Sequence, residues 1–187
     1  MNQRLEFLEA AHCCLYIVDP QERLMAHIHG ADRVVKNITL MIHLARALEM
    51  PIIANTQYKK GIGEIVPELA GLLDGVPCPD KTEFNGLANP GVQKELDALP
   101  ATADTLLLCG VETHICIYQT AMGALAAGYN VRVVADAISS RTPENDQYGK
   151  QRLREIGAVP APAEMIVYEL LQKAGTPAFK AMLPHLK

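Results

Sequence analysis

No stretch of this 187-residue chain gathers lysine or arginine, and its formal charge is −4 with a pI near 5.9. Nucleic acids and anionic membranes are met through basic patches, so neither is an expected partner. Long hydrophobic runs are also missing. The first apolar run, Cys13 to Val18, ends at Asp19 and is preceded by Arg4, Glu6 and Glu9, so neither a membrane span nor a signal peptide fits. Five cysteines, an odd number, stand at 13, 14, 78, 109 and 116 without a Cys-x-x-Cys pair. That argues against a disulfide framework and a dithiol redox site, and for free thiols in a cytoplasmic protein. No repeat, low-complexity tract or charge run divides the chain, and its 49% hydrophobic content suits one domain over 1–187.

Strand-length apolar runs at 13–18, 52–55, 105–109, 131–135 and 165–167 alternate with helical patterns at 34–50 and 113–127. Parallel strands covered on both faces read as continuous apolar runs, so the pattern predicts a three-layer α/β/α fold, doubly wound around a mostly parallel, Rossmann-like sheet. Within 34–50, Val34, Val35, Ile38, Met41, Ile42, Ala45 and Leu48 recur every three or four residues, and Pro51 stops the helix. Glycines and prolines break 57–105 into turns, as expected of loops gathered around a site. In such sheets ligands collect at the carboxyl ends of the strands. No Gly-x-Gly-x-x-Gly follows the first strand, where Asp19-Pro20-Gln21-Glu22 stands, which counts against a dinucleotide-binding oxidoreductase.

Three chemical groups fall at that expected edge. Cys116 sits where a strand gives way to a helix, and a thiol in a first helical turn has its thiolate favoured by the macrodipole. Asp19 follows a buried strand directly, where desolvation raises a carboxyl pKa and makes a better base; alone it also reads as a loop cap before Pro20. Lys81, between Asp80 and Glu83, alone reads as a surface charge, but in a pocket it would hold a carboxylate and a thiolate ionised. Cys116 alone also reads as an inert buried thiol. His27 and His29 lack a nearby third ligand and are expected on the surface; His114, two residues before Cys116, does not face it on a helix and is expected to be structural.

The run Cys109-Gly110-Val111-Glu112-Thr113-His114-Ile115-Cys116-Ile117-Tyr118-Gln119-Thr120-Ala121, with Gly128-Tyr129-Asn130-Val131 and Ala135-Asp136-Ala137, resembles the signature of isochorismatase-like cysteine hydrolases. That superfamily includes nicotinamidases and N-carbamoylsarcosine amidases. The Lys-Thr-x-Phe segment at Lys81, Gln57-Tyr58-Lys59-Lys60-Gly61-Ile62-Gly63 and Val66-Pro67-Glu68-Leu69 resemble its isochorismatase-domain-containing subgroup. The resemblance implies a triad of Asp19, Lys81 and Cys116, in which Asp19 takes the thiol proton, Lys81 supports the ionised pair and Cys116 forms an acyl-enzyme that water cleaves. It further implies a cis peptide between Val111 and Glu112 and an oxyanion hole built from the Glu112 and Cys116 backbone N–H groups. Metal-dependent nicotinamidases of the superfamily carry an Asp and histidines after the second strand, whereas Asn55-Thr56-Gln57-Tyr58 offers no such set, so no metal or other cofactor is expected.

The expectation is therefore a metal-independent hydrolase of a small amide, carbamoyl or related acyl substrate, its pocket lined by Gln57, Tyr58, Phe84 and Asn85. A catalytically silent scaffold of the same fold is the alternative. The C-terminal apolar residues Phe179, Met182 and Leu183, at helical spacing, are expected to pack on the domain or across a subunit boundary of a homo-oligomer.

Overall fold

Alternation along β1 (Cys13–Val18) divides the core in two, because successive side chains of a strand point to opposite faces. Leu15 and Ile17 join one buried cluster, while Cys14, Tyr16 and Val18 join the other. A computed structural model describes residues 7–186; Arg4 and Glu6 lie outside them. The other strands are β2 (Ile52–Gln57), β3 (Asp80–Lys81), β4 (Thr105–Val111), β5 (Asn130–Ser139) and β6 (Val159–Ala161). The helices are α1 (Glu22–Met25), α2 (Ala31–Ala47), α3 (Lys59–Ile62), α4 (Pro67–Ala70), α5 (Pro90–Asp97), α6 (Tyr118–Ala126), α7 (Pro143–Glu155), α8 (Ala163–Leu171) and α9 (Pro177–Met182).

The strands form one sheet in the order β3-β2-β1-β4-β5-β6, with every neighbouring pair parallel. Ile38, Met41 and Ile42 of α2, Leu69 of α4, Ile166 of α8 and Met182 of α9 cover one face. Val92 and Leu96 of α5, Ala121 of α6 and Leu153 of α7 cover the other, completing a three-layer α/β/α sandwich. The chain winds outward from β1 to β3, returns to β4 and winds the other way to β6. The order therefore reverses between β1 and β4, which is where such sheets open a crevice at their carboxyl ends. Gly110 makes that junction tight: its φ is +114°, and a Cβ there would lie 1.9 Å from the Val18 carbonyl oxygen, so no other residue fits.

Two edge strands, β3 and β6, stand beyond the runs expected from sequence. Both are rich in proline or led in by it, and proline accepts but cannot donate a ladder hydrogen bond and is therefore confined to edges. The Ala54 and Thr56 N–H groups of β2 donate to the carbonyls of Pro77 and Pro79 at 3.0 and 3.1 Å, leading the chain into β3. The run at 165–167, expected as a strand, lies instead in α8. Buried Ala163, Ile166, Val167, Leu170 and Leu171 recur at three and four, and that longer period overrides three adjacent apolar residues. The C-terminal segment packs within its own chain: Met182 is buried in the cluster that α2 supplies, with Phe179 half-buried beside it, whereas Leu183 is exposed. No helix among the described residues is long and apolar enough to cross a membrane.

Candidate active site

Asp19 is the first residue past β1, with a left-handed φ of 52°, and its N–H donates to the Asn55 carbonyl of β2 at 3.2 Å. Lys81 ends β3, where its carbonyl accepts the Tyr58 N–H at 2.8 Å. Cys116 reaches the same edge through a single π-helical turn, Thr113–Ile117, that joins β4 to α6. The Ile117 N–H bonds back to the Glu112 carbonyl at 3.1 Å, a five-residue step that widens this turn and sets the position of the sulfur.

Three far-apart stretches meet here in one buried cluster. The Lys81 ammonium lies 2.8 Å from Asp19 Oδ2, with both side chains fully buried, and also donates to Gln57 Oε1 at 2.6 Å. The Asn55 amide Nδ2 donates to Asp19 Oδ1. Cys116, 6% exposed, lies beside this pair, close enough that the Asp19 carboxylate and the Lys81 ammonium both act on its thiol. Lys81 is thus no surface charge, and Asp19 does more than cap a loop.

Burial pushes the Cys116 thiol up to about 12, reinforced by the Asp19 charge and opposed by Lys81 and by the Glu112 backbone N–H. This corrects the thiolate expected from a helix start: desolvation and an adjacent carboxylate outweigh the end of a helix. The sulfur therefore rests as a neutral thiol at neutral pH. Burial also raises the Asp19 carboxyl above its ordinary value, against the pull of the Lys81 ammonium and of hydrogen bonds from Lys81 and Asn55. A neutral donor and a strengthened base thereby stand side by side.

The turn that carries Cys116 is braced from two sides. The Val111–Glu112 peptide is cis. The buried Glu112 carboxylate accepts from the Arg141 backbone N–H at 3.0 Å and from its Nε at 3.1 Å, tying the turn to the segment after β5. Thr113 Oγ1 donates to Asp146 Oδ1 at 2.7 Å, and Lys150 holds the other Asp146 oxygen at 2.7 Å. Gly149 of α7 packs so closely that a Cβ would meet Thr113 Cγ2 at 2.8 Å and His114 N at 2.9 Å. Sequence reasoning missed this α7 brace, because Asp146 and Lys150 at i,i+4 look like an ordinary surface pair.

A model of the isochorismatase domain matches residues 13–165. The chain belongs to the isochorismatase family. Among its relatives, isochorismatase domain-containing protein 2 of Xenopus laevis is 38% identical over 166 residues, covering 89% of this chain and 79% of that protein. The secreted isochorismatase effector Isc1 of Phytophthora sojae is 33% identical, covering 100% and 90%. Among solved structures, that of the MAR1 ribonuclease from Caenorhabditis elegans superposes with a TM-score of 0.87 at 28% identity, covering 97% of this chain and 92% of the other.

In this isochorismatase domain the four residues expected to line a pocket separate. Gln57 belongs to the ionic cluster, holding Lys81 through Oε1 and donating from Nε2 to the Thr82 carbonyl at 2.9 Å. Asn85 turns inward, accepting the Leu87 N–H at 3.0 Å and packing against Gly123 of α6. Tyr58 and Phe84 stand about half exposed on the loops flanking the cluster. His27 and His29 are exposed, and His114 Nδ1 lies 2.9 Å from Ser140 Oγ, in a structural contact. Among the described residues no group of three or more His, Cys, Asp or Glu is placed to hold a metal ion. A cleft of about 830 Å³ opens at the opposite, amino edge of the sheet, lined by residues including His12, Asp104, Tyr129 and Arg132. The buried charges and the open cleft thus lie at opposite edges of one sheet.

Proposed function

We propose that this chain is a metal-independent cysteine hydrolase of small amide, carbamoyl or related acyl substrates. The observation that carries this reading is the fully buried Lys81–Asp19 ion pair with the buried Cys116 thiol beside it. With the thiol held at about 12, transfer of its proton to Asp19 is uphill at rest, so the proton moves as sulfur bonds to the carbonyl carbon. The resulting oxyanion is received by the Glu112 and Cys116 backbone N–H groups, a contribution typically worth about 3 kcal/mol per donor. Asp19 returns the proton to the leaving nitrogen as the C–N bond breaks. Water, deprotonated by Asp19, then adds to the thioester, and the acid leaves as sulfur recovers its proton. Lys81 holds Asp19 in its charged, oriented form between these steps.

Two buried polar atoms without a protein partner among the described residues, Asn55 Oδ1 and the Tyr16 hydroxyl, adjoin the cluster and offer contacts to a bound substrate. RNA cleavage, the activity that the nematode protein's name carries, suits this chain poorly, since it is acidic and its thiol is enclosed. The silent-scaffold reading draws on the same enclosure, because Asp19, Lys81 and Cys116 are together almost inaccessible. Free thiols support a cytoplasmic setting, and exposed Met165 and Tyr168, one turn apart on α8, support a homo-oligomer. Incubation with a panel of primary amides and carbamoyl compounds tests the reading. Ammonia release with a trapped acyl mass on the wild type and neither on Cys116→Ala is the expected result. Equal release from both proteins, or no release and no adduct with any compound, overturns it.

A further inference from the structure

Behind the ion pair lie two buried glutamines, Gln57 on the Lys81 ammonium and Gln21 on the backbone of Gln57. We infer that Gln57, braced by Gln21, is a positioning residue that fixes the Lys81 ammonium so that two of its three N–H bonds are committed and the third is left for the reacting centre. The inference rests on the assignment of Lys81 to that centre in the proposed function, and adds residues to it.

An ammonium carries three donors on a freely turning bond and no acceptor. One is taken by Asp19 Oδ2 at 2.8 Å and one by Gln57 Oε1 at 2.6 Å. A single ion pair leaves the group free to rotate about its partner; a second, neutral acceptor at a different angle removes that freedom. Neutrality matters, because a second carboxylate would compete with Asp19 for the cation and add anionic charge near the sulfur. Residues 55 and 57 of β2 lie on the same face of the strand, two apart, so their amides divide the work: Asn55 donates to the carboxylate, and Gln57 accepts from the ammonium.

Gln57 is itself held at every polar point. Its Nε2 donates to the Thr82 carbonyl at 2.9 Å, next along the chain from Lys81. Its backbone N–H donates to Gln21 Oε1 at 2.6 Å, and its carbonyl accepts from Gln21 Nε2 at 3.2 Å. Gln21 Nε2 also donates to the Gly63 carbonyl at 2.7 Å, and its backbone N–H to the Asp19 carbonyl at 2.8 Å. Gln21, fully buried, thus ties the backbone at Asp19 to that at Gln57. A merely structural glutamine would not need its oxygen on a fully buried cation, and a substrate-lining glutamine would not have both ends of its amide already engaged.

The test reads the ammonium and the thiol directly, without a substrate, so its outcome is separate from success or failure of the hydrolysis assay. In protein labelled with 15N at lysine Nζ, a held, buried ammonium exchanges slowly and gives a persistent N–H correlation. Gln57→Met should broaden or shift the Lys81 signal, and Gln21→Met should do so to a smaller extent, with the other lysine signals unmoved. Iodoacetamide labelling of Cys116, followed by mass spectrometry, should be about tenfold slower in Gln57→Met at each pH from 7 to 9. In a Lys81→Met background, adding Gln57→Met should slow it no further, because the glutamine acts only through the amine. A Lys81 signal and a labelling rate unchanged in folded Gln57→Met overturn the inference, as does a Gln57→Met effect that persists in full without Lys81. If Lys81→Met does not fold, the resonance in the single Gln57→Met variant decides alone: unchanged, the inference falls; lost or shifted, it stands.

Discussion

The two edges of the sheet differ in how they handle charge. At the carboxyl edge, Asp19 and Lys81 are withdrawn from water and bonded to each other and to two amides, beside a buried thiol. At the amino edge, His12 and Asp104 face one another at 3.9 Å beside an open cleft, each about half exposed. Open volume marks one edge, and committed polar groups mark the other. The difference teaches that enclosure, not cavity size, sets how strongly charges act on their neighbours here: a dry site strengthens each electrostatic contact and shifts thiol and carboxyl pKa values, while a wet cleft screens them.

The largest effect is expected from Lys81→Met. It strands a buried carboxylate, and breaking a buried pair from one side typically costs about 3–5 kcal/mol. Urea denaturation should show a loss of that order, and adding Asp19→Asn should recover much of it, because the lone charge is then gone. A Lys81→Met protein as stable as wild type breaks the contrast at its root.

Next comes pH. Asp19 accepts a proton only as carboxylate, and burial lifts its pKa, so activity should be absent at low pH and appear as pH rises through a value above the ordinary 3.8. Below that value, kcat/KM on any amide that releases ammonia should fall about tenfold per pH unit. On the alkaline side the thiol enters the reaction protonated and loses its proton near 12, so no thiol limb is expected between pH 7 and 9. A rise through pH 8 to 9 would instead signal a thiolate mechanism. Asn55→Ala removes a bond that stabilises the charged carboxylate and should move the acid limb upward.

Thr113→Val should act more gently. It deletes the 2.7 Å bond from the π-helical turn to Asp146 while keeping the volume, and leaving a buried partner short of one bond costs about 1–3 kcal/mol, lessened here because Lys150 still pairs with Asp146. Turnover should fall more than stability, since the turn sets the sulfur's position. Thermal unfolding and kcat measured on the same preparation separate the two effects.

Much of this contrast is legible from residue order. The apolar run of β1 ending at Asp19, and that of β4 leading to Cys116, place an acid and a sulfur at one edge by strand direction alone, and a mostly parallel sheet follows from the same runs. The pairing of both with Lys81 comes from resemblance, because Lys81 between Asp80 and Glu83 looks solvated until β3 is known to exist. That strand is two residues long and led in by prolines, so neither period nor propensity reveals it. The resting charge of Cys116 escapes the sequence for a related reason: a helix start is local and visible there, whereas desolvation depends on which distant segments close over the sulfur. Gln57, expected against substrate, lies against Lys81, a matter of side-chain direction that composition does not carry.

The smallest effect is expected from His12→Ala, and it is the sharpest check on the amino edge. The His12–Asp104 pair is long at 3.9 Å, and both side chains are about half exposed, so water and salt screen it and either partner can rotate away. Exposed pairs of this kind contribute about 0.2–1 kcal/mol at best, and substitution should shift stability by less than about 0.5 kcal/mol with turnover unchanged. The neighbouring cleft makes the outcome informative. If removing this imidazole slowed amide turnover severalfold while Cys116 labelling stayed normal, the open edge would be communicating with the closed one, and the division of labour between the two ends of the sheet would have to be redrawn.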